Sequence, residues 1–99
     1  RLYGKSRSVK KIGVCTGSGG ELLSDAAAKG ADAFVTGDVK HHQGLLSRQL
    51  GLCLFDAGHY GTERPMVELV ARFLKKHLTN GSKKTSICDC HSEEPFEEL

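Results

Sequence analysis

His59 and Glu63 stand four residues apart in the stretch Asp56-Ala57-Gly58-His59-Tyr60-Gly61-Thr62-Glu63. On a helical turn, residues at that spacing share a face. An imidazole nitrogen and a carboxylate oxygen presented together are a ligand pair for a divalent ion such as zinc, manganese or iron. The bland alternative is a structural hydrogen bond between the two. Two ligands do not complete a site, so the chemistry depends on further donors.

Two other turns carry polar groups of the same kind. Asp38, His41 and His42 follow the apolar run Asp32–Thr36. Asp38 either caps the next helix or faces a cleft, and His42 four residues later shares its face while His41 points elsewhere. Gly17, Ser18, Gly19 and Gly20 follow the run Ile12-Gly13-Val14-Cys15. A glycine turn at a helix start exposes backbone N–H groups that suit a phosphate or carboxylate. It also serves as a tight strand-to-helix connection with no ligand. It lacks the Lys-Ser/Thr ending of a Walker motif and the full dinucleotide fingerprint.

The elements that position these turns read as alternating strands and helices. Val9–Cys15, Asp32–Thr36 and Leu52–Phe55 are short apolar runs, the pattern of buried strands. Glu21–Lys29 is a helix with Leu22, Leu23, Ala26 and Ala27 available to pack inward, and Gly30 suits its C-terminal cap. Lys40–Leu50 is a second helix, weakened by Gly44 and ended by Gly51. Pro65 opens a third. Along it Met66, Leu69, Val70, Phe73, Leu74 and Leu78 repeat at helical spacing, as a core stripe does. Asn80-Gly81-Ser82 is a turn and Thr85–Cys90 a final strand, parallel or antiparallel. The expected fold is α/β, three-layered, with a largely parallel or mixed sheet of about four strands and three helices, all in one domain over residues 1–99. In such sheets ligands collect beyond the carboxyl ends of the strands, where all three polar turns would converge.

The chain has 99 residues, enough for one modest core, and a net charge of +2, too small to imply nucleic acid. Lys5, Arg7, Lys10 and Lys11 cluster near the start, and Glu93, Glu94, Glu97 and Glu98 near the end, as solvated faces or tails do. No run approaches membrane-spanning length. The spacing of Cys15, Cys53, Cys88 and Cys90 is not that of a compact disulfide framework, which favours a reducing cytoplasm. Cys88-Asp89-Cys90-His91 has the donors of a metal chelate, but alternate residues of a terminal strand also simply share one face. The first residue is Arg1 and the sole methionine is Met66, which reads as a fragment, a processed chain or half of a longer protein.

Three ordered motifs, Cys15-Thr16-Gly17-Ser18-Gly19-Gly20, the run Gly30–His42 and Phe55–Glu63, resemble the C-terminal half of Nif-three-like proteins, also known as GTP cyclohydrolase I type 2 homologues. The resemblance extends from about Val9 to Phe96. It implies a two-metal centre between two α/β halves, with His59 and Glu63 as ligands and His42 near the centre; the placement of Asp38 after its strand makes it a further candidate nearby. The Lys40-His41-His42 segment departs from the commoner Lys-Tyr-His of that family, so His41 is not expected to be essential. The paired histidines and aspartate of the family's N-terminal half have no counterpart here. The implied partners are that missing half and further copies in a homo-oligomer, with metal-dependent hydrolysis as the implied reaction. The 99 residues alone are expected to hold metal weakly. The alternative is a regulatory or assembly module with a structural metal or an anion site.

Overall fold

Strands form where the apolar runs are. The computed structural model describes residues 1–4, 8–78, 85–90 and 93. The elements in order are β1 (Leu2–Tyr3), β2 (Ile12–Val14), a 3-10 turn (Gly20–Leu22) leading into α1 (Leu23–Ala28), β3 (Ala33–Thr36), α2 (His41–Gln49), β4 (Cys53–Asp56) and α3 (His59–Leu78). They make an α/β fold with a four-stranded mixed sheet of order β1-β4-β3-β2. β2, β3 and β4 are parallel, with Val14 beside Val35 and Thr36 beside Asp56. β1 runs antiparallel to β4, with Tyr3 opposite Leu54.

The chain divides into two compact units, Arg1–Thr62 and Glu63–Leu99. The first holds the sheet, α1, α2 and the start of α3. Its core is Leu23, Phe34, Val39, Leu52 and Leu54, with Tyr3, Cys15, Ala26, Ala31 and Leu46 packed against them. Of the inward residues expected on the first helix, Leu23 is fully buried but Leu22 is exposed, because Leu22 sits in the tighter 3-10 turn, before the α-helical register begins. Gly30 ends α1 at a φ of 75°, where its N–H donates to the Ala27 carbonyl and that of Ala31 to the Ala26 carbonyl. Gly44 has a packing reason: a Cβ there would lie 2.5 Å from the Tyr3 ring.

The fourth strand is Leu2–Tyr3, not Thr85–Cys90, which takes no regular structure. The outer edge of β4 is occupied instead by the chain start: the Arg1 amino group donates to the Asp56 carbonyl at 2.6 Å, and Asp56 N–H to the Arg1 carbonyl at 2.8 Å. Cys88 and Cys90 are exposed, whereas Cys53 is buried and Cys15 packs on the core.

The third helix begins at His59, so Pro65 lies inside it. There the proline removes the N–H that would bond the Gly61 carbonyl one turn earlier. The stripe along this helix is open rather than core: Met66, Leu69, Val70, Phe73 and Leu78 are exposed, and among the described residues of α3 only Ala71 is buried. Helical periodicity identifies an apolar face but not the surface that covers it. The Asn80-Gly81-Ser82 turn, Lys5, Arg7, His91 and the acidic residues beyond Glu93 lie outside the described residues. No described helix is long and apolar enough to cross a membrane.

Candidate functional site

Parallel strands deliver their outgoing turns to one edge, and here three such turns interlock. Thr36, the last residue of β3, is fully buried. Its hydroxyl accepts from Gly19 N–H at 2.8 Å and donates to the Gly17 carbonyl at 3.1 Å. Gly37 N–H donates to the same Gly17 carbonyl at 2.7 Å. Gly17 N–H donates in turn to the Thr62 hydroxyl at 2.9 Å, and the proton of that hydroxyl points to the Gly58 and His59 carbonyls, each at 2.9 Å. The Ala57 N–H closes the ring onto the Thr36 carbonyl at 2.8 Å. The shared edge expected from the sequence is therefore real.

This packing makes the glycines obligatory. A Cβ on Gly19 would lie 2.6 Å from the Cys15 side chain and 2.7 Å from the Thr36 hydroxyl oxygen, closer than real Cβ contacts come. The N–H groups of Gly17 and Gly19 serve the threonines of neighbouring turns. Gly20 begins a 3-10 turn against the Gln43 side chain. Gln43 is itself buried, its side-chain oxygen accepting from Lys40 N–H at 2.9 Å to cap α2.

On this scaffold the structure brings Asp38 and His59 together. Asp38 Oδ2 lies 2.6 Å from His59 Nδ1. The side chains are 54% and 46% exposed, so the pair is open to groups from outside the unit. Asp38 is not the helix cap considered from the sequence: α2 is capped at Lys40, and the Asp38 carboxylate reaches across to the next turn. Asp38 has a φ of 53°, the sole positive-φ residue other than glycine among those described. On the other strand-to-helix turn, the Asp56 carboxylate accepts from Gly58 N–H at 3.2 Å, and Gly58 takes a φ of 79° before His59 enters α3.

Glu63 is exposed and follows His59 by four residues in α3. His41 and His42 lie exposed in the first turn of α2. Among the described residues, no three His, Cys, Asp or Glu side chains gather closely enough to hold a metal ion. The donor chemistry at His59 and Glu63 suits a divalent ion in part: one imidazole and one carboxylate, below the three protein donors usual for a catalytic zinc.

The reading of the sequence paired Asp38 with His42 and overlooked Thr36 and Thr62. The signal for the actual pairing is placement: Asp38 is the second residue after β3 and His59 the third after β4, and these strands are parallel neighbours. Thr36 and Thr62 carried only a weak signal, a hydroxyl at a strand end and one at a helix start.

Known proteins resemble this chain over the same elements. It is 41% identical over 68 residues to a GTP cyclohydrolase 1 type 2 homolog of Haemophilus influenzae, covering 69% of this chain and 27% of that protein. A protein of the same name from Nostoc is 43% identical over 67 residues, covering 68% of this chain and 26% of its own length. The crystal structure of a Bacillus cereus protein related to NIF3 superposes with a TM-score of 0.92 at 31% identity, covering 100% of this chain and 28% of that one. The chain thus spans about a quarter of the length of the curated relatives it matches. Residues 1–95 match the family model for Duf34/NIF3 (NGG1p interacting factor 3), and the chain belongs to that family.

Proposed function

We propose that these residues belong to the C-terminal, metal-binding half of a dinuclear metal protein whose complete polypeptide performs metal-dependent hydrolysis. The observation that carries the reading is the Asp38–His59 contact at the shared edge of the parallel strands, with Glu63 one helical turn beyond His59. His59 and Glu63 would hold metal, and the remaining donors would come from the part of the polypeptide outside this chain. When bound, paired divalent ions supply Lewis-acid polarisation of a substrate oxygen and a hydroxide nucleophile near neutral pH. The partial exposure of His59 and Asp38 supports a site completed from outside. The relatives named GTP cyclohydrolase 1 type 2 homologues support the family but leave the substrate open. Free cysteines at all four positions fit a reducing compartment such as the cytoplasm.

A second reading, a regulatory or assembly module with a structural metal, is favoured by the exposed apolar stripe of α3, which suits contact with another chain such as a second copy. Calorimetric titration of the natural polypeptide with zinc and with manganese tests the first reading. Uptake of two ions is the expected result, and X-ray absorption of the loaded protein should then show an open position held by water. Ions held by protein donors alone favour the structural module, and no uptake of either ion rejects a metal role.

A further inference from the structure

We infer that Asp38 is a positioning residue for His59: it fixes the imidazole tautomer and ring orientation, so that Nε2 is the nitrogen offered to a ligand. The inference rests on reading His59 as a metal ligand, but its first step stands on this chain alone.

A carboxylate only accepts hydrogen bonds, so an imidazole nitrogen 2.6 Å from it carries the proton. In its neutral form the ring has Nδ1–H directed at Asp38 and its lone pair on Nε2. A ring without such an anchor exchanges between two tautomers and several rotamers. Fixing it in advance removes that cost from ligand binding and raises the basicity of the coordinating nitrogen.

The backbone around Asp38 is shaped for this contact. The residue takes a φ of 53°, where most side chains are strained but Asp and Asn are tolerated. Gly37 before it presses on the turn that carries His59, since a Cβ at Gly37 would lie 2.6 Å from the His59 backbone nitrogen. Gly37 N–H is bonded to Gly17, and the Ala57 N–H to Thr36. The Ala57 bond ties the turn holding His59 to the strand end that leads into Asp38, and the Gly37 bond anchors that same strand end to the glycine turn. The side-chain contact is the product of that construction, and neither turn's local sequence requires it. Asp38 therefore acts through His59 rather than as a further metal donor.

The test uses the natural polypeptide labelled with 15N-histidine, in metal-free form and titrated with zinc, and the variants Asp38→Gly and Asp38→Asn. Glycine accepts the positive φ and removes the carboxylate. Asparagine keeps an acceptor oxygen and also tolerates the backbone. In the metal-free wild type, His59 is expected to show the Nδ1–H tautomer. Asp38→Gly should show a mixture and bind zinc about 10–100-fold more weakly, the usual effect of losing such a partner. Asp38→Asn, whose amide can donate to Nδ1 where the carboxylate only accepts, should turn part of the ring population to Nε2–H and weaken zinc binding as well. An Asp38→Gly protein that keeps both the Nδ1–H tautomer and wild-type zinc affinity overturns the inference. Should that variant not fold, a metal-free wild-type protein whose His59 shows Nε2–H, or an average of the two tautomers, overturns it equally. If the wild type binds no zinc or manganese, the proposed function fails, while the metal-free tautomer still decides the role of Asp38.

Discussion

Gly37 and Gly58 meet backbone to backbone: a Cβ on Gly37 would lie 2.6 Å from the Gly58 carbonyl carbon. The turn after β3 and the turn after β4 approach this closely because Gly37 has no side chain in the way, while Gly58 takes a φ of 79°. That approach puts Asp38 within reach of His59.

Gly37→Ala should therefore act on stability and on the site together. The new methyl faces backbone, which has no rotamer to change, so the turns must separate. The expected cost is about 1–3 kcal/mol, as for other overpacked sites. Chemical denaturation measures it, and loss of the Nδ1–H signal of His59 would accompany it. A variant of wild-type stability would show that the turns have slack.

Thr36→Val keeps the shape of the side chain and removes a hydroxyl that makes two buried hydrogen bonds. Gly19 N–H then has lost its acceptor inside the turn. The predicted loss is about 1–3 kcal/mol. Thr36→Ser, which retains the hydroxyl, should recover much of it, and a Thr36→Val protein as stable as wild type would show that the two hydrogen bonds contribute nothing net.

Gly30→Ala separates conformation from space. Nothing lies within 4 Å of a Cβ at Gly30, yet its φ is 75°. The cost is predicted at about 1–2 kcal/mol from the left-handed backbone alone. Gly30→Asn should cost less, since asparagine adopts that region more readily. A thermal melt of both variants reads the difference, and an alanine variant as stable as wild type would contradict it.

The parts of the fold legible in the sequence are those held by short-range patterns. β2, β3 and β4 are apolar runs bounded by turn residues, and Gly30 marks the end of α1 by the conformation only glycine adopts easily. β1 is two residues long and has no pattern of its own; it exists because Arg1 and Asp56 exchange backbone hydrogen bonds across the sheet edge. Thr85–Cys90 alternated suitably for a strand, but alternation does not supply a pairing edge. Convergence of the three turns was legible because parallel topology dictates it. The Asp38–His59 pairing was not, since residues 21 apart meet only through tertiary packing.

The central claim is that His59 and Glu63 are metal ligands rather than structural partners. Its most direct test is elemental analysis of the natural polypeptide carrying His59→Ala or Glu63→Ala, measured beside a thermal melt. Each variant is predicted to fold and to lose most of its bound metal, because a ligand contributes a strong bond to the ion and little to the packed core. Full metal content in both folded variants would contradict the account.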